Sequence, residues 1–276
     1  MRLQYFGTAA AEGWPGLFCH CEFCREARRL GGKNIRTRSQ ALLDGRILFD
    51  FPPDTYLHML RDGLDLPGIQ SVLVTHTHQD HFYPEDLLFR SPGFAHGVKD
   101  TLTFYGNDAM AGRLQTFLAA CRRDGQLTGG EVACREIAPY QPVEIEGYRV
   151  SAMLANHDRS ERCYIYLIER EGQTLLYGND TGIFPEKTWA YLADRKLSLV
   201  SLDCTTGYRK EGRNHMGVPD VIEVKERLVK MGCADESTRF IATHFSHNGR
   251  LLYDQLVTAL SPHRIGVAYD GMTAEV

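Results

Sequence analysis

The stretch Thr75-His76-Thr77-His78-Gln79-Asp80-His81 decides both the fold and the chemistry of this sequence. It overlaps the end of Ser-Val-Leu-Val-Thr at residues 71–75, an apolar and β-branched run typical of a buried strand, so the histidines begin where that strand ends. Four side chains that coordinate divalent metals lie within six residues. A merely polar loop does not explain that density, and the stretch predicts a metal site.

The spacing of these ligands indicates two ions rather than one. Side chains alternate along extended backbone, so His76 and His78 point to the same side if the strand continues through them. A bend after His78 turns Asp80 and His81 toward an adjacent position. The motif therefore predicts two neighbouring metals with two ligands each from this segment, and imidazole and carboxylate donors suit zinc, manganese or iron.

Two coordination spheres need further ligands, and three candidates occur later in the chain. Each follows a strand-like run, where the loops of a rigid scaffold carry functional side chains. The candidates are His157, Asp180 and His244. Taken singly, each is equally well explained as a capping or surface residue, but their joint order along the chain favours a role as ligands.

The remainder of the sequence predicts a single domain over residues 1–276. Turn signals for hairpins occur at Asp44-Gly45, Glu146-Gly147 and Glu171-Gly172, and strands alternate with helices after them. Two packed mixed β-sheets with helices outside account for this pattern. We therefore expect an α+β fold.

Composition and charge exclude several classes of protein. The 276-residue chain is 43% hydrophobic and 24% charged, which gives it material for a sizeable core. Its 31 Lys and Arg against 35 Asp and Glu leave a net charge of −4, which disfavours long nucleic acids and anionic membranes as partners. The sequence suggests neither a secretory signal nor an apolar span of about 18 residues, so we expect a cytoplasmic protein with reduced thiols.

The order of the candidate ligands resembles the metallo-β-lactamase superfamily along nearly the whole chain. The resemblance implies a four-layer αβ/βα sandwich with two metals at one edge of its two sheets. It implies that the first metal is held by His76, His78 and His157. It implies that the second is held by Asp80, His81 and His244, with Asp180 bridging both ions.

A second metal site is indicated by the cysteines of the first loop. Cys19, Cys21 and Cys24 lie too close together for independent disulfides and suit one tetrahedral zinc. His20 is a local candidate for the fourth ligand but is sterically awkward, and His247, three residues after His244, is the better one. The alternative is three reduced structural thiols. We expect the five other cysteines to be small apolar side chains in the core: Cys121, Cys134, Cys163, Cys204 and Cys233.

This cysteine loop narrows the resemblance to the PhnP family, the phosphoribosyl 1,2-cyclic phosphate phosphodiesterases of phosphonate breakdown. Further matching segments are Asn179-Asp180-Thr181-Gly182, Leu202-Asp203-Cys204, Arg213-Asn214-His215 and Tyr269-Asp270-Gly271-Met272. The resemblance implies a structural zinc on the cysteine trio and the later histidine, and it suggests a homodimer. The coenzyme pyrroloquinoline quinone biosynthesis protein B is similar in the same loop.

The expected reaction is hydrolysis of a small cyclic phosphate or phosphodiester by a hydroxide that bridges two manganese or zinc ions, with iron as an alternative. We expect Asp80 to be required as a ligand and His215 to protonate the leaving oxygen. Asp203 is expected to orient a ligand imidazole, or alternatively to cap a helix. Two groups of cations are candidates for a further phosphate of the substrate: Arg209, Lys210 and Arg213, and Arg159 with Arg162.

Three other functions fit the same pattern. Hydrolysis of a lactone or thioester needs the same ions, and an accessory protein of quinone biosynthesis would retain them for another purpose. A tRNA-processing nuclease shares the histidine motif, but the acidic balance of the chain disfavours it. The partner that the sequence predicts is therefore a small phosphorylated molecule.

Overall fold

The computed structural model describes residues 1–127 and 132–276, and within these ranges the chain forms fourteen strands and six α-helices. In chain order the strands are β1 (Arg2–Gly7), β2 (Gln40–Leu43), β3 (Ile47–Phe49), β4 (Ser71–Leu73), β5 (Leu102–Gly106), β6 (Val132–Glu136), β7 (Val143–Ile145), β8 (Tyr148–Leu154), β9 (Tyr164–Arg170), β10 (Gln173–Gly178), β11 (Leu199–Asp203), β12 (Arg239–Thr243), β13 (Ile265–Val267) and β14 (Thr273–Glu275). The helices are α1 (Glu22–Leu30), α2 (Thr55–Asp62), α3 (Asp108–Arg123), α4 (Glu186–Leu192), α5 (Val218–Lys230) and α6 (Tyr253–Leu260).

The strands form two seven-stranded mixed sheets with matching layouts. The first has the order β14-β1-β2-β3-β4-β5-β6 and the second β13-β12-β11-β10-β9-β8-β7. In the first sheet, antiparallel pairs from β14 to β3 give way to parallel pairs from β3 to β6. In the second, β7 to β10 are antiparallel and β10 to β13 are parallel. The predicted pair of mixed sheets is confirmed.

Apolar side chains divide the molecule into four layers. The facing sides of the two sheets share one core, in which the rings of Phe49 and Tyr177 stack with centroids 4.1 Å apart. The outer face of the first sheet packs against α3, and that of the second against α1, α4, α5 and α6. This is the αβ/βα sandwich that the sequence predicted. No helix in the described ranges combines the length and apolarity that crossing a bilayer requires.

The structure differs from the sequence prediction mainly in short elements. The segment predicted as a cysteine-bearing loop continues into helix α1, whose first turn is capped where the Cys24 N–H donates to Cys21 Sγ, 3.4 Å away. Helix α2, strand β6 and the final strand β14 were not predicted. Each is short, and α2 has only eight residues, so neither a helical nor an alternating pattern is long enough to stand out.

Two site-bearing loops approach each other so closely that only glycine fits between them. The Gly182 N–H donates to Asn156 O over 2.8 Å and the Ile183 N–H to Gly212 O over 2.9 Å. A Cβ at Gly182 would lie 1.9 Å from the carbonyl oxygen of Arg213. The loop after β10 is therefore held against the loop that leads to His215.

We expect Gly182→Ala to destabilise the fold by about 2 kcal/mol or more, because the backbone of Arg213 must move. Gly112→Ala, on an open position of α3, is the matched control and should stabilise by up to about 1 kcal/mol. Urea unfolding midpoints measure both. Equal midpoints for Gly182→Ala and the wild type would contradict the close approach.

His58 of α2 is buried in a polar pocket under the first sheet. Its Nδ1–H donates to Gln40 Oε1 over 2.6 Å, its Nε2 lies 2.8 Å from Thr37 Oγ1, and its ring stacks on Phe6. Burial, aided by the positive charge of Arg61, lowers the pKa of His58 from 6.5 to about 3. The folded protein therefore holds this imidazole neutral.

The unfolded chain protonates His58 near pH 6.5 and the folded chain only near pH 3, so its contribution to stability is complete above pH 6.5 and is lost as the pH falls. We expect the free energy of unfolding to drop by up to about 1.4 kcal/mol per pH unit from this group. His58→Gln should remove that part of the slope between pH 7 and pH 5 in urea unfolding. A slope unchanged by the substitution would show that the pKa of His58 is the same in the folded and the unfolded chain.

Candidate functional site

The predicted ligands meet at one edge of the sandwich, where the parallel strands of both sheets end. Asp180, two residues after β10, lies at the centre and is 3% exposed. Its carboxylate oxygens are 3.4 Å from His76 Nε2, 3.1 Å from His81 Nε2 and 3.6 Å from His244 Nε2. His157 Nδ1 is 3.3 Å away. Residues up to 168 positions apart in the sequence therefore surround one buried carboxylate.

Among the residues that the structure describes, the predicted ligand atoms fall into two of the three potential metal-binding sets that share Asp180, the third being Asp180, Asp203, His215 and His244. In each set, all ligand atoms lie within 4.8 Å of one another. The first set is His76, His78, His157 and Asp180, and the second is Asp80, His81, Asp180 and His244. Zinc bonds of about 2.0–2.1 Å place tetrahedral ligand atoms roughly 3.3 Å apart, which matches the contacts to Asp180. These are the sets and the shared carboxylate that the sequence resemblance implied.

Each of the five imidazoles has one nitrogen engaged by an outer partner. The contacts are 3.1 Å from His76 Nδ1 to Thr75 Oγ1, 2.9 Å from His78 Nε2 to Asp158 Oδ2, 2.8 Å from His81 Nδ1 to Asp50 Oδ2, 3.0 Å from His157 Nδ1 to Asn214 O and 2.9 Å from His244 Nδ1 to Thr205 Oγ1. Partners of this kind fix the orientation and tautomer of metal-binding histidines. The other nitrogen of each ring is left for an ion.

Several inward atoms lack any hydrogen bond among the described residues. They are the Nε2 atoms of His76, His81 and His244 and one oxygen of Asp180. Leaving a buried polar atom without a partner costs about 1–3 kcal/mol, so four at one point require an explanation. Divalent ions would satisfy all of them, and the residues present therefore fit the two metals implied by the sequence.

The charges of the cluster also call for cations at its centre. Burial opposes ionisation of Asp180, but His244 and His157 outweigh it and hold the pKa of this carboxyl well below its usual value. Burial likewise opposes protonation of His81, but Asp80 and Asp50 outweigh it and raise the pKa of this imidazole well above its usual value. Positive charge, from protons or from metal ions, stabilises the arrangement.

Three residues of the site have backbone in the left-handed region. The φ angles are +64° at Asp50, +50° at Asp180 and +59° at His244. Each residue lies directly or almost directly after a strand, at the turn that directs its side chain into the cluster. Non-glycine residues with positive φ are uncommon and concentrate at functional sites, where the surrounding contacts hold them in place.

His215 and Asp203 join the cluster as the sequence predicted. His215 Nδ1 lies 3.0 Å from Asp180 Oδ1 and 3.3 Å from Asp203 Oδ2, and its side chain is 27% exposed. The fully buried Asp203 accepts hydrogen bonds from the N–H groups of Thr205 and Met216. Its Oδ2 also lies 3.3 Å from His244 Nδ1, so it contacts a candidate ligand. The helix-cap alternative is wrong, because α5 is capped at Gly217.

The cysteine cluster forms a separate four-ligand set with His247. His247 Nδ1 lies 3.7 Å from Cys19 Sγ and 3.5 Å from Cys21 Sγ, and Cys24 completes the set. Tetrahedral zinc with bonds of about 2.3 Å to sulfur and about 2.0–2.1 Å to nitrogen places these atoms roughly 3.6 Å apart. His247, and not His20, is the histidine that the fold brings to the thiols.

The sequence prediction missed Asp50, Asp158 and Thr205, which contact ligands, and Glu161, which holds the backbone between two of them. Asp50 directly follows β3, so the strand-end rule that found Asp180 would also have found it. Thr205 follows β11 at the same distance as Asp180 follows β10, whereas Asp158 and Glu161 lie in an irregular loop. Two of the cations that were candidates for binding a phosphate already form salt bridges, because Lys210 pairs with Glu223 and Arg162 with Asp108.

We expect about three metal equivalents per chain, two on the sets that share Asp180 and one on the cysteine set. Cys24→Ser should lose one equivalent and lower the melting temperature, because metal binding to such sites contributes folding free energy. Cys134→Ser, a thiol outside the cluster, is the matched control and should keep all three. Plasma mass spectrometry of the purified proteins measures the content. Equal content in Cys24→Ser and the wild type would contradict the assignment.

Comparison with known proteins agrees with this geometry. A family model described as a beta-lactamase superfamily domain matches residues 45–245. A ribonuclease Z of Listeria innocua is 29% identical over 195 residues, which make up 68% of this chain and 60% of that protein. The chain thus spans about 60% of the length of this curated relative.

Solved structures share the fold over the whole chain. A diphosphatase of the PhnP family has a TM-score of 0.77 at 21% identity, and the match covers 100% of this chain and 97% of that one. Zn(2+)-bound PqqB from Methylobacterium extorquens has a TM-score of 0.74 at 19% identity and covers 100% of both chains. The short form of human tRNase Z has a TM-score of 0.69 at 16% identity, and the match covers 100% of this chain and 99% of that one. The family model, which matches residues 45–245, shows that the chain belongs to the metallo-β-lactamase superfamily.

Proposed function

We propose that this hydrolase of the metallo-β-lactamase superfamily cleaves a small cyclic phosphate or phosphodiester of the phosphoribosyl 1,2-cyclic phosphate type. The observation that carries the proposal is the position of His215, whose ring lies beside the carboxylate shared by the two ligand sets. An acid at that position can protonate the leaving oxygen of a phosphate group that is bound between the two ligand sets. A protein that only stored ions would have no use for it.

The proposed cofactors are two divalent ions, zinc or manganese, on the His and Asp sets and one zinc on the cysteine set. When bound, the pair would supply a Lewis acid that activates water and neutralises charge on the phosphoryl oxygens. Asp180 would be the ligand common to both ions.

Asp80→Ala, which removes a ligand of only one set, should abolish turnover, because the reaction needs both ions.

The chain's own residues supply the proton for the leaving group. Burial disfavours charge on His215, but the nearby carboxylates of Asp180 and Asp203 outweigh it and raise the pKa of this imidazole to about 11. Protonated His215 directs Nδ1–H toward the two carboxylates. Its Nε2–H is then the proton available to a departing alkoxide, and the half-open position of the ring leaves room for substrate.

The comparisons support phosphoester chemistry over carboxylic esters. The relatives are named as a ribonuclease Z and a diphosphatase, both of which cleave bonds to phosphorus. The net charge of −4 favours a small substrate over a long nucleic acid. Lactone or thioester hydrolysis and an accessory role in quinone biosynthesis are the competing functions, and one similar structure is the quinone-pathway protein PqqB.

We expect His215→Ala to lose about 100-fold or more activity on a cyclic or alkyl phosphodiester, whose leaving alkoxide needs a proton. On bis(p-nitrophenyl) phosphate the loss should stay below about 10-fold, because nitrophenolate leaves unprotonated. Steady-state rates with matched metal content measure both, and His263→Ala, at an exposed histidine, is the control.

Equal losses on the two substrates would remove the general-acid role of His215. A fully metallated wild type that hydrolyses a lactone but no phosphodiester would overturn the proposed function. Turnover of neither class would favour the accessory role.

A further inference from the structure

We propose that the loop between β8 and β9 is a clamp in which Asp158 and Glu161 position the segment that carries His76 and His78. The inference rests on the proposed function only in requiring that the first ligand set binds a metal ion. Both acids lie outside the ligand sets. They act through the residues that they hold, so they are positioning residues.

His78 is the candidate ligand whose orientation depends most on a partner. Its side chain is 43% exposed, whereas those of His76, His81 and His244 are at most 1% exposed and are fixed by packing. The contact that holds the His78 ring is Asp158 Oδ2, 2.9 Å from Nε2. Asp158 is itself fixed, because its Oδ1 accepts the Ser160 N–H over 2.8 Å.

The Asp158 contact also decides which nitrogen of His78 is free. A carboxylate only accepts hydrogen bonds, so Nε2 of His78 carries the proton and Nδ1 carries a lone pair. His78 Nδ1 lies 3.2 Å from His157 Nε2. His157 donates from its other nitrogen to Asn214 O, so two lone pairs face each other when both rings are neutral. A cation between them relieves that repulsion.

Glu161 holds the backbone between the two ligands. Its Oε1 accepts both the N–H and the hydroxyl of Thr77, over 2.9 and 2.7 Å, and its Oε2 accepts Nδ2 of Asn107 over 2.7 Å. On the opposite side, Arg113 of α3 donates to the Thr77 carbonyl over 2.6 Å. All hydrogen-bonding groups of Thr77 are thereby engaged, which fixes the residue between His76 and His78.

The clamp serves the first ligand set alone. The same loop contributes His157, contacts His78, and holds Thr77, the residue between His76 and His78, so the position of three of the four ligands depends on it. The second set is supported elsewhere, since Asp50 holds His81 and Thr205 holds His244. Loss of the clamp should therefore lower the affinity for one of the two ions and leave the affinity for the other unchanged.

The experiment measures metal affinity instead of turnover. Metal-free protein is titrated with Co²⁺ and Zn²⁺ against a competing chelator, with calorimetry and the visible Co²⁺ spectrum as readouts. We expect Asp158→Ala and Glu161→Ala to weaken one of the two His and Asp equivalents by about 10- to 100-fold. The other equivalent and the cysteine equivalent should keep their wild-type affinity. Glu144→Ala, which removes an exposed acid on β7 outside this loop, is the control and should keep all three wild-type affinities.

Conservative variants separate positioning from general damage to the loop. Asp158→Asn and Glu161→Gln retain an accepting oxygen, so each should recover most of the affinity lost in the alanine variant. Thermal unfolding of the metal-free proteins checks that the alanine variants fold.

Unchanged affinities in both alanine variants, or equal weakening of both ions, would overturn the clamp while leaving the proposed function intact. A wild type that binds an ion only at the cysteine set would overturn the proposed function and the clamp together.

Discussion

The structure depends on one buried carboxylate. Asp180 is almost fully enclosed and has nitrogen atoms of five imidazoles, His76, His81, His157, His215 and His244, within 3.6 Å. A negative charge in that position is tolerable only if positive charge surrounds it. The sandwich meets this demand by ending parallel strands of both sheets at the same edge, so that residues distant in sequence deliver their nitrogens to one point. The positive φ angles at Asp50, Asp180 and His244 are where the backbone turns to make that convergence.

Much of this could be predicted from the sequence, for identifiable reasons. The histidine motif is dense and follows a clear strand, and His157, Asp180 and His244 each follow another, so strand ends alone located the ligands. Apart from Asp203, the outer partners were not predicted. Asp158 and Glu161 lie in an irregular loop, and their contacts to His78 and Thr77 span about eighty residues of sequence. Neither periodicity nor spacing encodes a contact of that kind.

The secondary structure, like the site, was predicted in part and missed in part. The hairpin turns at Asp44-Gly45, Glu146-Gly147 and Glu171-Gly172 and the strand that begins at residue 71 were predicted, because turn residues and apolar runs are local signals. Helix α1 was not, since its start depends on the Cys21 sulfur as a cap and on packing of Cys24 and Ala27 against the second sheet. A cysteine is an unusual cap, and its choice here follows from its place in a metal-ligand set. Local structure was thus dictated by a tertiary site.

The order of the ligands along the chain has a consequence for biosynthesis. The cysteine trio lies within the first 24 residues, yet its histidine is residue 247, and the last candidate catalytic ligand is residue 244. Neither the cysteine set nor the second His and Asp set is complete until that segment has left the ribosome. The thiols and imidazoles of these sets therefore meet only when segments far apart in the chain have folded together. Ions held by these sets would be selected by the folded geometry and not by the cysteine loop alone.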